Sequence, residues 1–230
     1  MKFTNKKVIL FDLDGTLIDS APDLALAINH MLTEVSYPTF SEKLICSWVG
    51  NGANVLVRRS LSGSSEIDNN LDNDLIEQSL QLFLSFYKDN LCIKTKLYPN
   101  VAVSLKILKA QGYRLAIVSN KPFAFIEPIL IALGLEGLFE ILLGGDSLEN
   151  RKPDAQPLLH IAQALNVSVE ECLMVGDSKN DILAAKAANM ESIGLKYGYN
   201  YEEDIALYQP EAVFDDFSDI IATLSPDYLT

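Results

Sequence analysis

The chain has 230 residues, of which 49% are hydrophobic, 18 are basic and 31 are acidic, so its formal net charge is −13. This length and apolar content suffice for one large α/β domain or for a core with a smaller companion. The acidity, without any long basic run, argues against nucleic acid and anionic membrane surfaces as partners. Three cysteines without close spacing argue against a disulfide framework or a zinc site. With no stretch typical of a signal peptide or membrane span, we expect a cytoplasmic protein, either a monomer or a small homo-oligomer.

The first predicted element is a strand over residues 8–11, where four large apolar residues follow one another as in a strand buried on both faces. It ends in Asp12 and Asp14, whose side chains leave an extended backbone on the same side. Gly15 then permits a sharp turn. Because two neighbouring carboxylates repel each other, this pair requires a cation or a shared proton, and Mg²⁺ suits such oxygen ligands.

The next stretch, residues 20–92, has the pattern of consecutive helices without a convincing strand. Ser20 is predicted to cap the first helix, which has a proline in its first turn. Later helices are predicted over residues 41–48, 53–61 and 75–90, with a polar loop over 62–74. We therefore predict an inserted, all-helical cap at residues 20–92, with residues 1–19 and 93–230 forming the core.

From residue 98 onwards the pattern alternates between helix and strand. Strands are predicted over 113–118, 139–143, 172–175 and 192–195, and helices over 101–110, 126–133, 157–165 and 180–188, with a last strand and helix after Pro210. Strands separated by helices imply right-handed crossovers and a parallel sheet. The predicted fold class is thus α/β, a doubly wound, Rossmann-like parallel sheet with the helical cap inserted.

Polar side chains follow three of the predicted strands: Asp12 and Asp14, then Ser119 and Asn120, then Asp177. In doubly wound sheets ligands bind beyond the carboxyl ends of the strands, so these loops are expected to face one crevice. Each pattern also has an ordinary structural explanation, as a solvated turn, a helix cap or an acid at a helix N-terminus.

The string over residues 11–17, Phe-Asp-Leu-Asp-Gly-Thr-Leu, closely resembles the first motif of the haloacid dehalogenase-like superfamily of phosphotransferases. The resemblance implies that Asp12 is a nucleophile that forms an aspartyl phosphate. It implies that Asp14 protonates the leaving alkoxide and then activates water. A dehalogenase would lack that second acid, so its presence favours phosphate chemistry.

Three further motifs of the superfamily occur in the expected order. By this resemblance, Ser119 and Asn120 hold the phosphoryl oxygens. Lys152 balances the charge of the nucleophile and the phosphoryl group, and we expect it to matter for this charge rather than for folding. The chain departs from the common Lys-Pro-x-Pro pattern here, since Ala155 replaces the second proline.

The resemblance also implies a Mg²⁺ site. Its ligands would be Asp12, Asp177 and Asp14, the last through its main-chain carbonyl, because the fourth motif matches residues 176–181. Asp181 would lie behind these ligands and support them. The substrate would be a small anionic phosphomonoester.

Within the superfamily, stretches 48–53, 178–188 and 194–200 most resemble the bacterial phosphoglycolate phosphatases, which implies hydrolysis of 2-phosphoglycolate to glycolate and phosphate. The same four motifs also serve hexose-phosphate mutases and broader sugar-phosphate or nucleotide phosphatases. A catalytically silent phosphate-binding module is a further alternative, although such a module would be free to lose the motif aspartates.

A candidate site for the substrate carboxylate is the loop Gly50-Asn51-Gly52, which precedes a predicted helix. Backbone amides at a helix N-terminus that follows glycines can bind an anion, and Arg59 is a candidate helper. The alternative is that the two glycines only end one helix and begin the next.

Overall fold

The structure, a computed structural model, describes residues 3–224. Residues 1–2 and 225–230, at the outer ends of the predicted core segments, lie outside the described residues. The strands are Val8–Phe11 (β1), Ile18–Asp19 (β2), Lys96–Leu97 (β3), Arg114–Val118 (β4), Ile141–Leu143 (β5), Cys172–Gly176 (β6), Glu191–Leu195 (β7) and Ala212–Phe214 (β8). The helices are Ala21–Glu34 (α1), Glu42–Cys46 (α2), Ala53–Ser62 (α3), Asn73–Asp89 (α4), Val101–Ala110 (α5), Ile126–Ala132 (α6), Gln156–Ala164 (α7), Lys179–Ala187 (α8) and Asp219–Thr223 (α9).

Six of the strands form one parallel sheet in the order β5-β4-β1-β6-β7-β8. The predicted doubly wound α/β sheet is thereby confirmed. β1 lies at the centre, between β4 and β6, and all four of its residues are fully buried. Ile9 and Phe11 belong to one apolar cluster, whereas Val8 and Leu10 belong to another. This alternation explains the continuous apolar run, because successive side chains pack on opposite faces of the sheet.

Helices α1 to α4 follow one another between β2 and β3, and α1 packs against the other three. The helical pattern of this stretch is as predicted, except that α2 ends at Cys46 rather than at Trp48. Trp48 is buried and meets the ring of Phe40 edge-on, which places it in the core without a helical backbone. Of the described helices, none combines the length and the apolarity that crossing a membrane requires.

A short antiparallel ribbon of β2 and β3, which the sequence pattern did not predict, joins the helical stretch to the sheet. Its two strands have two residues each, too few to produce a periodic signal. The predicted capping role of Ser20 is wrong, since its side chain makes no cap hydrogen bond and its hydroxyl donates to Asp14 Oδ1 at 2.6 Å.

Asp23, in the first turn of α1, ties the start of the helical stretch to its end. Its buried carboxylate accepts hydrogen bonds from the backbone amides of Lys94 and Thr95 and from the Thr95 hydroxyl, at 2.6–3.1 Å. Hydrogen bonds to a charged acceptor are stronger than neutral ones, and the two donors of Thr95 are buried away from water.

We expect Asp23→Ala to lower the free energy of unfolding by on the order of 3 kcal/mol, because it leaves buried donors without acceptors. Urea denaturation measures this loss. Glu77→Ala, which removes an exposed carboxylate in the middle of α4, is the matched control and should change stability by less than about 0.5 kcal/mol. Equal effects of the two substitutions would contradict the assignment of Asp23 as the link.

Candidate active site

The candidate site lies at the carboxyl ends of three adjacent strands. Asp12 follows β1, Ser119 follows β4 and Asp177 follows β6, and β1 pairs with both of the other strands. Side chains that are more than a hundred residues apart in sequence therefore meet at one edge of the sheet.

Lys152 is the cation at the centre of this edge, and its side chain is 2% exposed. Its Nζ lies 2.9 Å from Asp12 Oδ1 and 2.6 Å from Asp181 Oδ1, and it donates to the carbonyl of Val118 at 2.6 Å. Removing this amine would leave two buried carboxylates without their lysine partner. Breaking a buried ion pair in this way lowers the free energy of unfolding by about 3–5 kcal/mol. From these contacts we expect Lys152 to contribute to the stability of the folded state as well as to the phosphoryl charge.

Three buried carboxylates, those of Asp12, Asp177 and Asp181, each offer an oxygen within 4.8 Å of the other two. Burial raises the pKa of Asp12 to about 6, against the lowering effect of Lys152, and the nearby charge of Asp181 raises it further. Burial, followed by the charges of Asp12 and Asp181, raises the pKa of Asp177 well above its ordinary value. A cluster of hard oxygen donors with excess negative charge fits a divalent cation such as Mg²⁺.

The two aspartates that follow β6 have different surroundings. Asp181 accepts from the backbone amide and the hydroxyl of Ser178, closing the N-terminus of α8, and its other oxygen pairs with Lys152. Asp177 accepts from the Thr16 hydroxyl and from the Tyr199 amide, both at 2.6 Å. These hydrogen bonds hold both carboxylates in fixed orientations beside Asp12.

The turn after β1 approaches this cluster so closely that it requires glycine. Gly15 has a φ of +92°, and a Cβ built there would lie 2.3 Å from Asp177 Oδ2. The predicted sharp turn after the two aspartates is thus present, and it is what allows Asp177 to sit against the backbone of the first motif.

Asp14 occupies a separate electrostatic environment. Lys121 Nζ lies 3.0 and 3.2 Å from its two carboxylate oxygens, and Ser20 donates to one of them. Lys121 also donates to the Tyr87 hydroxyl at 2.9 Å. The sequence reasoning missed both Lys121 and Tyr87. For Lys121 a signal existed, since it directly follows Ser119 and Asn120, whereas Tyr87 has the pattern of an ordinary core residue of α4.

A cavity of about 40 Å³ opens beside Asp12 and Asp14 and also reaches Ser119, Asn120 and Lys121. Its remaining wall is mostly apolar. Leu24, Val49, Ala53, Leu56 and Phe83 come from the helical stretch, and Pro122 and Phe125 follow β4. The combination of charged groups with an apolar wall suits a small anionic ester held beside Asp12 and Asp14.

The predicted glycine loop only partly reaches the cavity. Gly50 and Gly52 line it, but Asn51 and Arg59 do not. The Arg59 guanidinium donates to the Trp48 carbonyl and to Asn51 Oδ1, so it stabilises the loop from outside the cavity. Gly52 has a φ of +83°, and a Cβ there would come 2.9 Å from the carbonyl oxygen of Asn120.

The same loop contacts the core side chains directly. The Gly50 carbonyl accepts from Asn120 Nδ2 at 2.9 Å and from Asn180 Nδ2 at 3.1 Å. The Tyr201 hydroxyl donates to Asn51 Oδ1 at 2.7 Å. A larger residue at Gly52 would therefore disturb the contact between loop and core for every substrate, which makes it a poor probe of carboxylate binding.

Residues 9–195 match the family model of the haloacid dehalogenase-like hydrolases. The chain belongs to this family. Its resemblance through the four motifs is thereby confirmed, and most of the chain, including the helical stretch, falls within the matched range.

Two relatives in this family of hydrolases are similar over nearly the whole chain. A phosphoglycolate phosphatase of Colwellia psychrerythraea is 54% identical over 224 residues, which cover 97% of this chain and 99% of that protein. A phosphoglycolate phosphatase of Psychrobacter arcticus is 46% identical over 225 residues, covering 97% and 98%. A crystal structure of a "predicted phosphoglycolate phosphatase" from Haemophilus somnus 129pt matches with a TM-score of 0.90 at 45% identity, covering 95% of this chain and 98% of that one. The chain is an enzyme of the phosphatase type.

The raised pKa of Asp12 predicts a pH dependence of stability for the protein in a chelating buffer. The folded-state pKa, about 6, lies above the ordinary value of 3.8, so protonation favours the folded state. The contribution of Asp12 to stability should therefore be lost as the pH rises from about 4 to about 6, and the raised pKa of Asp177 adds a further fall in stability in the same direction.

Denaturant unfolding at several pH values measures this fall. Asp12→Asn, which keeps the shape but cannot ionise, should shrink the pH dependence in that window, whereas Asp89→Asn on the surface of α4 should leave it as in the parent. The same slope in Asp12→Asn and the parent would show that Asp12 is not the group responsible.

Proposed function

We propose that the protein is a Mg²⁺-dependent phosphomonoester hydrolase that converts 2-phosphoglycolate to glycolate and phosphate through an aspartyl-phosphate intermediate. The observation that carries this proposal is the arrangement of the two aspartates of the first motif. Asp12 is buried beside Lys152, Asp14 pairs with Lys121, and both aspartates line one cavity. The named relatives support the choice of substrate.

Asp12 is the proposed nucleophile. Apart from Lys152, no described residue donates a hydrogen bond to its carboxylate, so the carboxylate is available for attack. One oxygen of Asp12 forms a bond to phosphorus while the bond between phosphorus and the ester oxygen breaks. Lys152 offsets the negative charge that gathers as the phosphoryl group approaches. The Ser119 hydroxyl and the backbone amide of Asn120 are the proposed donors to the phosphoryl oxygens, because both residues line the cavity.

Asp14 is the proposed acid and base. It gives a proton to the departing glycolate oxygen in the first step. In the second step it takes a proton from the water that attacks phosphorus, and the bond between phosphorus and Asp12 breaks to release phosphate. Lys121 and Ser20 orient its carboxylate for both transfers through their hydrogen bonds.

Mg²⁺ fits the acidic cluster, with Asp12 and Asp177 as side-chain ligands and the main-chain carbonyl of Asp14 as a third. Asp181 serves to support the site, because its two oxygens are already engaged by Ser178 and Lys152. When bound, the ion screens the repulsion between the nucleophile and the phosphate.

Residues 20–92 are the proposed cap, with the remaining segments as the catalytic core. The cap contributes most of the apolar wall of the cavity and excludes water from the reacting groups. The choice of 2-phosphoglycolate over a hexose phosphate or a nucleotide rests on the named relatives. No described feature favours a mutase or a silent binding module over hydrolysis.

The substrate proposal is tested by measuring phosphate release from a panel of 2-phosphoglycolate, a hexose phosphate, a nucleotide and pyrophosphate. We expect kcat/KM to be highest for 2-phosphoglycolate, because both named relatives are phosphoglycolate phosphatases. Activity should be lost on chelation and restored by Mg²⁺, because the carboxylates of the cluster repel the phosphate without it. A preference for the hexose phosphate would defeat the substrate assignment, and activity that survives exhaustive chelation would defeat the metal assignment.

The assignment of Asp12 is tested by Asp12→Asn, which is close to isosteric. We expect kcat to fall by at least about 1,000-fold, because the amide is not a competent nucleophile. Circular dichroism should show that the variant remains folded, and Asp89→Asn is the control with parental activity. Trapping of a labelled phosphoryl group on another residue would overturn the assignment.

A further inference from the structure

Tyr87 places a buried hydrogen-bond donor at the wall of the catalytic cavity. It lies on α4 in the helical stretch, is 1% exposed and lines the cavity beside Asp14. Its hydroxyl oxygen accepts from Lys121 Nζ at 2.9 Å, but among residues 3–224 nothing accepts the hydrogen of that hydroxyl. Leaving a buried donor unmatched costs about 1–3 kcal/mol, so such a donor at a cavity wall indicates a ligand group that accepts it.

Lys121 supplies a positive charge at the same point. The charged side chains that line the cavity are Asp12, Asp14 and Lys121, so Lys121 is the single cation among them. Its side chain is 3% exposed and its amine lies 4.7 Å from the centre of the Tyr87 ring. Burial raises the pKa of the Tyr87 hydroxyl to about 12, which keeps it a donor at neutral pH.

The surroundings of this pair strengthen its attraction for an anion. Phe83 stacks on the Tyr87 ring with centroids 5.8 Å apart, and Phe125 meets that ring edge-on at 5.2 Å. Leu24 and Phe125 also line the cavity next to it. In such an apolar environment, hydrogen bonds and charge pairs are stronger than in water.

We propose that Tyr87 and Lys121 form the subsite for an anionic group on the leaving group, a carboxylate joined to the ester oxygen through one carbon. This inference rests on the proposed function, in which Asp14 contacts the ester oxygen. Lys121 lies within 3.2 Å of both Asp14 oxygens, so a carboxylate one carbon beyond that ester oxygen reaches the amine and the Tyr87 hydroxyl. Arg59, the candidate that the sequence suggested for binding the carboxylate, does not line the cavity, whereas Tyr87 and Lys121 do.

The subsite joins two parts of the chain, since Tyr87 lies between β2 and β3 and Lys121 follows β4. A substrate carboxylate held by both residues would link the helical stretch to the core while the ester oxygen lies beside Asp14, the proposed acid. Substrates without that anion would lose this link, which is the physical basis of selection at this subsite.

The decisive comparison uses two substrates with the same carbon count, 2-phosphoglycolate and ethyl phosphate. For Tyr87→Phe we expect kcat/KM to fall about tenfold on 2-phosphoglycolate, chiefly through KM, and less than about twofold on ethyl phosphate. For Lys121→Met we expect losses on both substrates, because Asp14 also loses its partner, with the larger loss on 2-phosphoglycolate. Tyr201→Phe is the matched control, because its hydroxyl contacts Asn51 outside the cavity, and it should affect both substrates equally.

A second readout does not depend on turnover. Glycolate should raise the melting temperature of the parent protein in Mg²⁺ buffer and should raise that of Tyr87→Phe by less. Equal losses on the two substrates in Tyr87→Phe, or a response to glycolate equal to that of the parent, would overturn the subsite. The substrate carboxylate would then be assigned to the backbone amides at the start of α3. Failure of the proposed function is distinguished from this outcome because the parent protein would then hydrolyse neither substrate.

Discussion

The neutralisation of buried carboxylates by Lys152 is the interaction on which the site depends. β1 carries Asp12 into the centre of the sheet, and β6 leads into Asp177 and Asp181 beside it. Without a cation, three carboxylates could not stay buried and ionised in such proximity. Lys152 neutralises only one negative charge, however, and a divalent ion would neutralise the charge that remains.

The charge of the second aspartate of the first motif is balanced by a different lysine from the one that pairs with Asp12. Asp12 shares its lysine with Asp181, whereas Asp14 has Lys121 and the hydroxyl of Ser20. Two carboxylates two residues apart thus acquire different electrostatic environments, which is consistent with the different roles that we propose for them. The helical stretch takes part in this division, because Tyr87 completes the surroundings of Lys121.

The contacts between the glycine loop and the core are of a different kind from those inside the charge cluster. Gly50 and Asn51 are held by neutral hydrogen bonds from Asn120, Asn180 and Tyr201. Each such bond contributes only about 1 kcal/mol, so these contacts are weak compared with the ion pairs of Lys152. If the helical stretch opens as the proposed cap, these weaker contacts are the ones that would break, while the ion pairs at the ends of the strands stay in place.

The sequence by itself determined the parallel sheet, the helical stretch between the first two motifs and the family, because these depend on apolar periodicity and on short strings of contiguous residues. Only the tertiary structure decided that Ser20 serves Asp14 rather than its own helix, that Lys152 holds buried charge in the folded state, and that Arg59 stays outside the cavity. It also brought Lys121 to Asp14 across 107 residues and Tyr87 to Lys121 across 34. Such pairings leave no local pattern, since they depend on which distant side chains the packing of helices on the sheet brings together.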